Sequence, residues 1–266
     1  MRDVAVVGFA QRQMQDFDGS PTCAELLVPI LAECYEQTGW TRRDVGFWCS
    51  GSSDYLAGRS FSFVAAIDAI GVLPPVNESH VEMDAAWALY EAWLKIQTGE
   101  VDTAIAFGFG KSSAGVLRRT LAMQLDPYTM TPLWPDTVSL AALQARLGLD
   151  AGLWDEKAMA AVVQRSMADA EQNDNAVRSG ERTVDELLNS PMFADPLRKH
   201  DCAPVTDGAV AVVLAAGDSA NGRGAREVRD NPAWITGFGH MTDGLQLGTR
   251  DLTTSRSAEG AAQAAG

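Results

Sequence analysis

Apolar stretches and amphipathic segments alternate along the first 110 residues. Residues 4–9 are apolar almost throughout, which is typical of a strand covered on both faces, as parallel strands are. The capping-box spacing from Thr22 to Glu25 then predicts a helix that ends at Gly39. Further strands are predicted at 45–51, 76–82 and 102–107, with helices near 63–70 and 85–98 between them. This β-α-β-α-β-α-β order predicts a layered α/β sheet with helices on its faces.

Residues 111–203 interrupt the pattern, because Pro127, Pro132 and Pro135 punctuate a loop-rich stretch and helices are predicted near 139–147 and 155–171. A second capping box, at 183–186, predicts another helix start. We interpret this stretch as an excursion inserted above the sheet. The sheet resumes at 208–216, and a linker leads to a strand at 233–238 and an alanine-rich helical stretch from 257.

The formal net charge of −14, without a basic tract, argues against nucleic-acid binding. No apolar run approaches the length of a membrane span, and the start passes directly into a strand, so we expect a cytoplasmic protein without a signal peptide. An anionic ligand such as coenzyme A would need a local basic patch. The candidates are Lys111, Arg118-Arg119 and Arg198-Lys199, and scattered solvated charge is the alternative for each.

The sequence favours no metal or phosphate site. None of the four cysteines forms a CxxC pair, and we expect Cys34 and Cys49 to be small core residues. The three histidines are too far apart in sequence to propose a metal site. Gly108-Phe109-Gly110-Lys111-Ser112 fails the spacing of both the P-loop and the dinucleotide fingerprint, so a plain turn with small residues for close packing is favoured.

Several segments resemble the thiolase superfamily. Residues 3–11 are similar to its opening strand and turn, and residues 94–104 to its I-Q-x-G-x-x-D-x-A passage. Asp195-Pro196-Leu197 followed by residues 201–212 (DCAPVTDGAVAV) resembles the D-P-L…P-x-S-D-G-A-A-A-V segment of the lipid-transfer (sterol carrier protein 2-type) branch. Only this last segment is specific by itself.

The resemblance implies the thiolase-like α-β-α-β-α layered fold. It assigns 1–110 and 204–232 to the N-terminal half, 111–203 to an inserted loop domain and 233–266 to the start of the C-terminal half. The family's histidine motif and second cysteine would then lie beyond residue 266, so we expect a truncated chain.

In the same register, the family's nucleophilic cysteine falls at Glu82, at the end of a strand that runs into a helix. No cysteine occurs between Cys49 and Cys202. The catalytic candidates are therefore Glu82, as a base or as a polar group of the acyl pocket, and His80, two residues earlier on the same strand face. The alternatives are that Glu82 caps the helix and that both residues shape a dimer contact or the core.

The implied function is retro-aldol cleavage of a β-hydroxyacyl-CoA with a lipid or steroid side chain, because this reaction needs a base and no covalent carrier. Coenzyme A would enter as part of the substrate, and no bound cofactor or metal is expected; substrate-binding residues are not assigned. The implied partners are a second thiolase-like chain in a homo- or hetero-dimer and an OB-fold (DUF35-type) protein. A non-catalytic acyl-CoA-binding subunit and a conventional acetyl-CoA acyltransferase remain the alternatives.

Overall fold

A computed structural model describes residues 1–14, 21–57, 59–82, 84–219 and 221–266. The chain forms two compact units. Unit 1 comprises residues 1–115 and 206–238, and unit 2 comprises residues 116–205 and 239–266. The assignment of chain segments to thiolase halves stays a prediction.

The elements of unit 1 are β1 (Val4–Met14), α1 (Cys23–Thr38), β2 (Phe47–Ser52), α2 (Asp54–Ala57), α3 (Ser62–Ile70), β3 (Glu78–Glu82), α4 (Ala85–Gln97), β4 (Thr103–Lys111), β7 (Asp207–Ala216), α9 (Ala225–Val228) and β8 (Ala233–Trp234), and the intervening labels belong to unit 2. The strands of unit 1 form a six-stranded sheet with the order β3-β2-β4-β7-β1-β8. Strands β3 and β4 lie parallel to β2 on either side of it, whereas β7 runs antiparallel to both β4 and β1.

The parallel character predicted for the first strand is wrong, because β1 pairs antiparallel with β7 and with β8. Its apolar residues are nevertheless buried, with Val4, Ala5 and Val7 at most 1% exposed. Burial on both faces produces a continuous apolar run whatever the direction of the neighbouring strands, so the pattern does not encode strand polarity.

Helices cover both faces of the sheet and create two buried clusters. On one face α1 contributes Leu26, Leu27 and Ile30 to a cluster that also holds Val213 and Phe107. On the other face α4 contributes Ala88, Ala92 and Ile96, which pack with Phe47, Leu214 and others. The layered α/β architecture predicted from the sequence is therefore confirmed.

The signals at the ends of α1 are also confirmed. The Thr22 side chain accepts a hydrogen bond from the Glu25 backbone N–H, and the Glu25 carboxylate accepts one from the Thr22 N–H. Gly39 ends the helix at φ 69°, in the left-handed region that glycine enters without steric cost.

Unit 2 is mainly helical, and it confirms the helices predicted after residue 111. Its elements are α5 (Leu117–Ala122), α6 (Thr137–Asp150), α7 (Glu156–Asp169), α8 (Val184–Leu188), β5 (Met192–Ala194), β6 (Leu197–Arg198) and α10 (Arg256–Ala265). The strand predicted at 233–238 is shorter than expected, since only Ala233–Trp234 pairs with the sheet of unit 1. Within the ranges described above, the helices are too short or too polar to traverse a lipid bilayer.

Candidate active site

The junction between β3 and α4 carries two carboxylates with different roles. Glu82 is the last residue of β3, and Asp84 is the N-cap of α4. The Asp84 Oδ1 atom accepts hydrogen bonds from the backbone N–H groups of Ala86 at 2.9 Å and Trp87 at 3.3 Å. The interpretation of Glu82 as the cap of this helix is therefore wrong, because the geometry of a cap places its side chain beside the N2 and N3 amides.

Two glycines allow α4 to approach the sheet closely at this junction. A Cβ atom at Gly51 of β2 would collide with the backbone of Asp84, and one at Gly108 of β4 would lie 2.7 Å from Ala85 Cβ. Gly108 and Gly110 lie inside β4, so the turn predicted for this segment is wrong. The close packing predicted for its small residues is confirmed at Gly108.

His80 and Glu82 lie together on β3, as the sequence predicts for two residues on one strand face. His80 Nε2 lies 3.3 Å from Glu82 Oε2. The other carboxylate oxygen of Glu82 accepts a hydrogen bond from the Asp54 backbone N–H at 3.3 Å, at the start of α2. The Glu82 side chain is 59% exposed, whereas that of His80 is 15% exposed. A reacting group from solvent can therefore reach the carboxylate, while the imidazole is largely enclosed.

Two side chains that the sequence did not single out hold the His80 ring. Its Nδ1 atom lies 2.8 Å from the Oγ atom of Ser50, which faces it in the register of β2 and β3. The ring stacks on Phe63 of α3 with centroids 5.0 Å apart. The proximity of Ser50 to His80 could be inferred only from the pairing of β2 with β3, since 30 residues separate the two in sequence.

A pocket of about 440 Å³ opens beside the N-terminus of α4. Its lining includes Arg12, Leu56, Asp84, Phe109 and Asp207. Neither Glu82 nor His80 is among the described residues that line it. Ser52, the register partner of Glu82, does line it, so the His80–Glu82 pair lies next to the pocket wall.

Asp207 is a further polar residue of this pocket, and the sequence analysis assigned it no role. It is 1% exposed and accepts hydrogen bonds from the Ser113 backbone N–H at 3.0 Å and from the Ser113 hydroxyl at 2.5 Å. These bonds join the end of β4 to the start of β7 at the pocket. The available signal was its place in the specific segment of residues 201–212, where it precedes Gly208-Ala209.

No cysteine is among the described residues that line the pocket. Cys34 and Cys49 are fully buried, and burial raises the pKa of each to about 12. Burial also raises the pKa of Cys23 and of Cys202, and Cys202 belongs to unit 2. The expectation of core cysteines is confirmed for Cys34 and Cys49. Cys23 is buried as well, whereas Cys202 is only partly buried.

Two of the basic residues proposed for an anionic ligand are already paired. Arg198 is buried and lies 2.8 Å from the Glu156 carboxylate, and Arg118 forms an ion pair with Asp136. Within the described part of the chain, no group of three or more His, Cys, Asp or Glu side chains is arranged to hold a metal ion.

Sequence comparison finds that the chain is similar to acetyl-CoA acetyltransferases of two organisms. The chain is 28% identical over 263 residues to an acetyl-CoA acetyltransferase of Methanothermobacter thermautotrophicus, covering 95% of this chain and 66% of that protein. It is 25% identical over 267 residues to an acetyl-CoA acetyltransferase of Methanocaldococcus jannaschii, covering 97% of this chain and 66% of that protein. The chain thus spans just under two thirds of the length of these curated relatives. No protein-family model matches it.

Solved structures share the fold. An Ltp2-ChsH2(DUF35) aldolase superposes with a TM-score of 0.74 at 15% identity, covering 96% of this chain and 66% of that one. A monomeric SCP2-thiolase-like protein type 1 from Mycobacterium smegmatis superposes with a TM-score of 0.69 at 19% identity, covering 98% of this chain and 56% of that one. The chain therefore has a thiolase-like fold, and its sequence is similar to that of acetyl-CoA acetyltransferases.

Proposed function

We propose that the protein acts on acyl-CoA thioesters and cleaves a β-hydroxyacyl-CoA by a retro-aldol reaction, with Glu82 as the base and His80 assisting it. One observation carries the proposal. The strand–helix junction at which the family resemblance places a cysteine holds Glu82 and Asp84, and the nearest thiol in sequence, Cys49, is buried.

Covalent acyl transfer needs an ionised thiol at the helix N-terminus, where the free N–H groups stabilise the thiolate. Here the Asp84 carboxylate already accepts hydrogen bonds from two of those N–H groups. A carboxylate that carried the acyl group would form a mixed anhydride, which is far more reactive than a thioester. These features argue against a Claisen-type acyl carrier on this chain.

Retro-aldol cleavage needs no such carrier. The Glu82 carboxylate takes the proton of the β-hydroxyl group, the C–O bond becomes a carbonyl, and the Cα–Cβ bond breaks. The electron pair moves to the α-carbon and the thioester oxygen as an enolate, which then takes a proton at the α-carbon. The products are a ketone or aldehyde and a shortened acyl-CoA, with no net oxidation or reduction.

The surroundings of the junction support an apolar acyl group. Leu56, Phe109, Ala209 and Val210 line the 440 Å³ pocket, and Arg12 is a positive group at the same pocket. One structural neighbour is an aldolase with a DUF35 component, which supports a retro-aldol reaction and a DUF35-type OB-fold partner for this chain. A lipid or steroid side chain as the substrate is part of the proposal. Pairing with a second thiolase-like chain belongs to the same proposal.

Two other functions remain candidates. The names of the curated relatives favour an acetyl-CoA acyltransferase. A subunit without activity of its own, which binds acyl-CoA or supports a catalytic partner, is the other candidate. The ion pairs of Arg118 and Arg198 within the chain favour the supporting role over acyl-CoA binding.

The proposal is tested by incubating the protein, alone and with a DUF35-type partner, with β-hydroxyacyl-CoA substrates and following the carbonyl product and the shortened acyl-CoA by mass spectrometry. Replacing Glu82 by Gln removes the base, and we expect kcat to fall by about 100-fold or more. Glu78→Gln, a change of the same kind at an exposed residue of the same strand, should leave kcat unchanged.

An E82Q protein that folds and retains full cleavage would exclude Glu82 as the base. A stable acetyl adduct on a cysteine after incubation with acetyl-CoA would favour the acyltransferase. If the substrate stays intact with every partner tested, the protein is best explained as a non-catalytic subunit.

A further inference from the structure

We infer that the Ser50 hydroxyl donates a hydrogen bond to His80 Nδ1 and, together with the Glu82 carboxylate, holds His80 in the tautomer that carries its hydrogen on Nε2, so that His80 donates to Glu82. Ser50 is then a positioning residue that acts through His80. The catalytic consequence rests on the proposed function, whereas the tautomer does not.

The arrangement of Ser50 is fixed by the fold. Ser50 is 3% exposed and lies in β2 directly opposite His80 of β3. Its Oγ atom is 2.8 Å from His80 Nδ1, and the stacked Phe63 ring leaves the imidazole little freedom to rotate. The Ser50 hydroxyl is therefore held against Nδ1 of the His80 ring.

The two neighbours of the ring decide where the hydrogen sits. A neutral imidazole has one N–H donor and one acceptor nitrogen, and an ionised carboxylate can only accept. If the hydrogen were on Nδ1, the lone pair of Nε2 would face the lone pairs of Glu82 Oε2 at 3.3 Å. With the hydrogen on Nε2, His80 donates to Glu82, and the Ser50 hydroxyl donates to Nδ1. Of the two neutral tautomers, only the one with the hydrogen on Nε2 satisfies all three groups, because the Glu82 carboxylate can only accept whereas the Ser50 hydroxyl can donate or accept.

A hydroxyl suits this position because it can reverse its role. When His80 is protonated, both ring nitrogens become donors, and the Ser50 oxygen can accept from Nδ1. The charged groups facing the ring are Glu82 and Asp54. The pKa of Asp54 is lowered mainly by hydrogen bonds from the N–H groups of Ser62 and Phe61, with a smaller electrostatic contribution from His80.

The chain from Ser50 to Glu82 also differentiates the two carboxylate oxygens. His80 holds Oε2, so Oε1, which accepts the 3.3 Å bond from Asp54 N–H, is the oxygen left to take a substrate proton. Loss of the Ser50 hydroxyl should free the His80 ring, so that the two oxygens of Glu82 are no longer held in different hydrogen bonds.

The tautomer can be measured directly, because the protein contains only three histidines. Long-range ¹H–¹⁵N correlation spectra of the imidazole rings distinguish a nitrogen that bears a hydrogen from one that does not, and His80→Asn assigns the His80 signals by their loss. We expect wild-type His80 at pH 8 to show a protonated Nε2 and an unprotonated Nδ1. A protonated Nδ1 in the wild type overturns the inference without any variant.

Ser50→Ala should shift the His80 signals toward a mixture of the two tautomers. Ser52→Ala is the matched control, since Ser52 is equally buried two residues further along β2 and its hydroxyl bonds to Ser62. The inference also fails if S50A and S52A give the same His80 spectrum as the wild type. Ser50→Thr, which keeps the hydroxyl, should restore the wild-type spectrum if S50A alters it.

The activity measurement separates this inference from the proposed function. If Glu82 is the base, S50A should lower kcat by about tenfold, the equivalent of one lost hydrogen bond, with little change in KM. If the wild type shows the expected His80 tautomer but neither the wild type nor any variant cleaves the substrate, the inference is upheld and the proposed retro-aldol function is refuted. Cleavage unaffected by S50A despite an altered tautomer would refute the positioning role.

Discussion

At the scale of single residues, the chemistry open to this chain depends on which groups stand at the end of β3. Glu82 presents an exposed carboxylate there, and Asp84 consumes two N–H groups of α4 that would otherwise stabilise an anion. Cys34 and Cys49 offer no reactive thiol, because they are buried in the core and burial raises their pKa values to about 12.

This placement predicts the pattern of thiol reactivity. At pH 8 a thiol with a pKa of about 12 is ionised in roughly one molecule in ten thousand, and only the thiolate reacts with iodoacetamide. In the folded protein we therefore expect Cys202, which is partly exposed, to be alkylated at least about tenfold faster than Cys34 and Cys49. Peptide mass spectrometry after timed labelling measures the rates.

The denatured protein is the control, because all four cysteines should then react at similar rates. Rapid labelling of Cys49 in the folded protein would contradict its burial and restore a nucleophilic thiol to the candidates.

At the scale of elements, the site is created by the way α4 meets the sheet. Helix α4 begins directly over β2 and β4, where Gly51 and Gly108 provide the room. The same packing opens the pocket at the carboxyl ends of these parallel strands. Ligands of open α/β sheets usually bind at that edge, because the strand ends and the helix N-termini meet there.

The close approach predicts a large difference between two glycine substitutions. Gly51→Ala places a methyl group against the Asp84 backbone, and we expect the free energy of unfolding to fall by about 1–3 kcal/mol. Gly110→Ala is the matched control, because its Cβ atom would have no neighbour within 4 Å. Urea denaturation of both variants measures the difference. Equal stability of the two would show that α4 does not rest on Gly51.

At the scale of the molecule, unit 1 is assembled from segments far apart in sequence. Strand β7 returns to the sheet after unit 2 and lies between β4 and β1. Asp102 links three such segments, since Arg2 lies 2.5 Å from its Oδ1 atom and the Ser219 hydroxyl donates to its Oδ2 atom at 3.0 Å. The Arg2 and Ser219 hydrogen bonds, opposed by a smaller effect of burial, lower the pKa of Asp102.

The lowered pKa predicts a pH-dependent contribution to stability. A carboxyl group whose pKa is lower in the folded state stabilises the protein above its unfolded pKa, and this stabilisation is lost as the pH falls through the folded pKa. At pH 7 we expect Asp102→Asn to cost about 1 kcal/mol, a modest value because the Arg2–Asp102 pair is about one-third exposed. The cost should shrink below the ordinary aspartate pKa of 3.8.

Denaturant unfolding of the wild type and the variant at pH 7 and below pH 4 measures this change. Asp3→Asn is the control, because Asp3 pairs with Arg226 in a more exposed ion pair and should change stability less at either pH. A cost of Asp102→Asn that is independent of pH would show that the carboxylate charge is not the cause.

The sequence by itself determined most of the elements, because local signals encode them. Thr22 and Gly39 marked the ends of α1, and the apolar face of α4 predicted its burial against the sheet. The spacing of two residues also placed His80 and Glu82 on one face of β3, since side chains alternate along a strand. The resemblance at residues 195–212 directed attention to the thiolase superfamily.

Only the tertiary structure decided what surrounds that pair. Strand polarity left no trace in the apolar run of β1, and the cap of α4 proved to be Asp84 because capping depends on backbone geometry. Ser50, Phe63 and Asp207 are far from Glu82 in sequence and reach the junction or its pocket through strand register and helix packing. The sequence determined that a carboxylate stands at the end of β3, whereas long-range packing decided which hydrogen bonds that carboxylate makes.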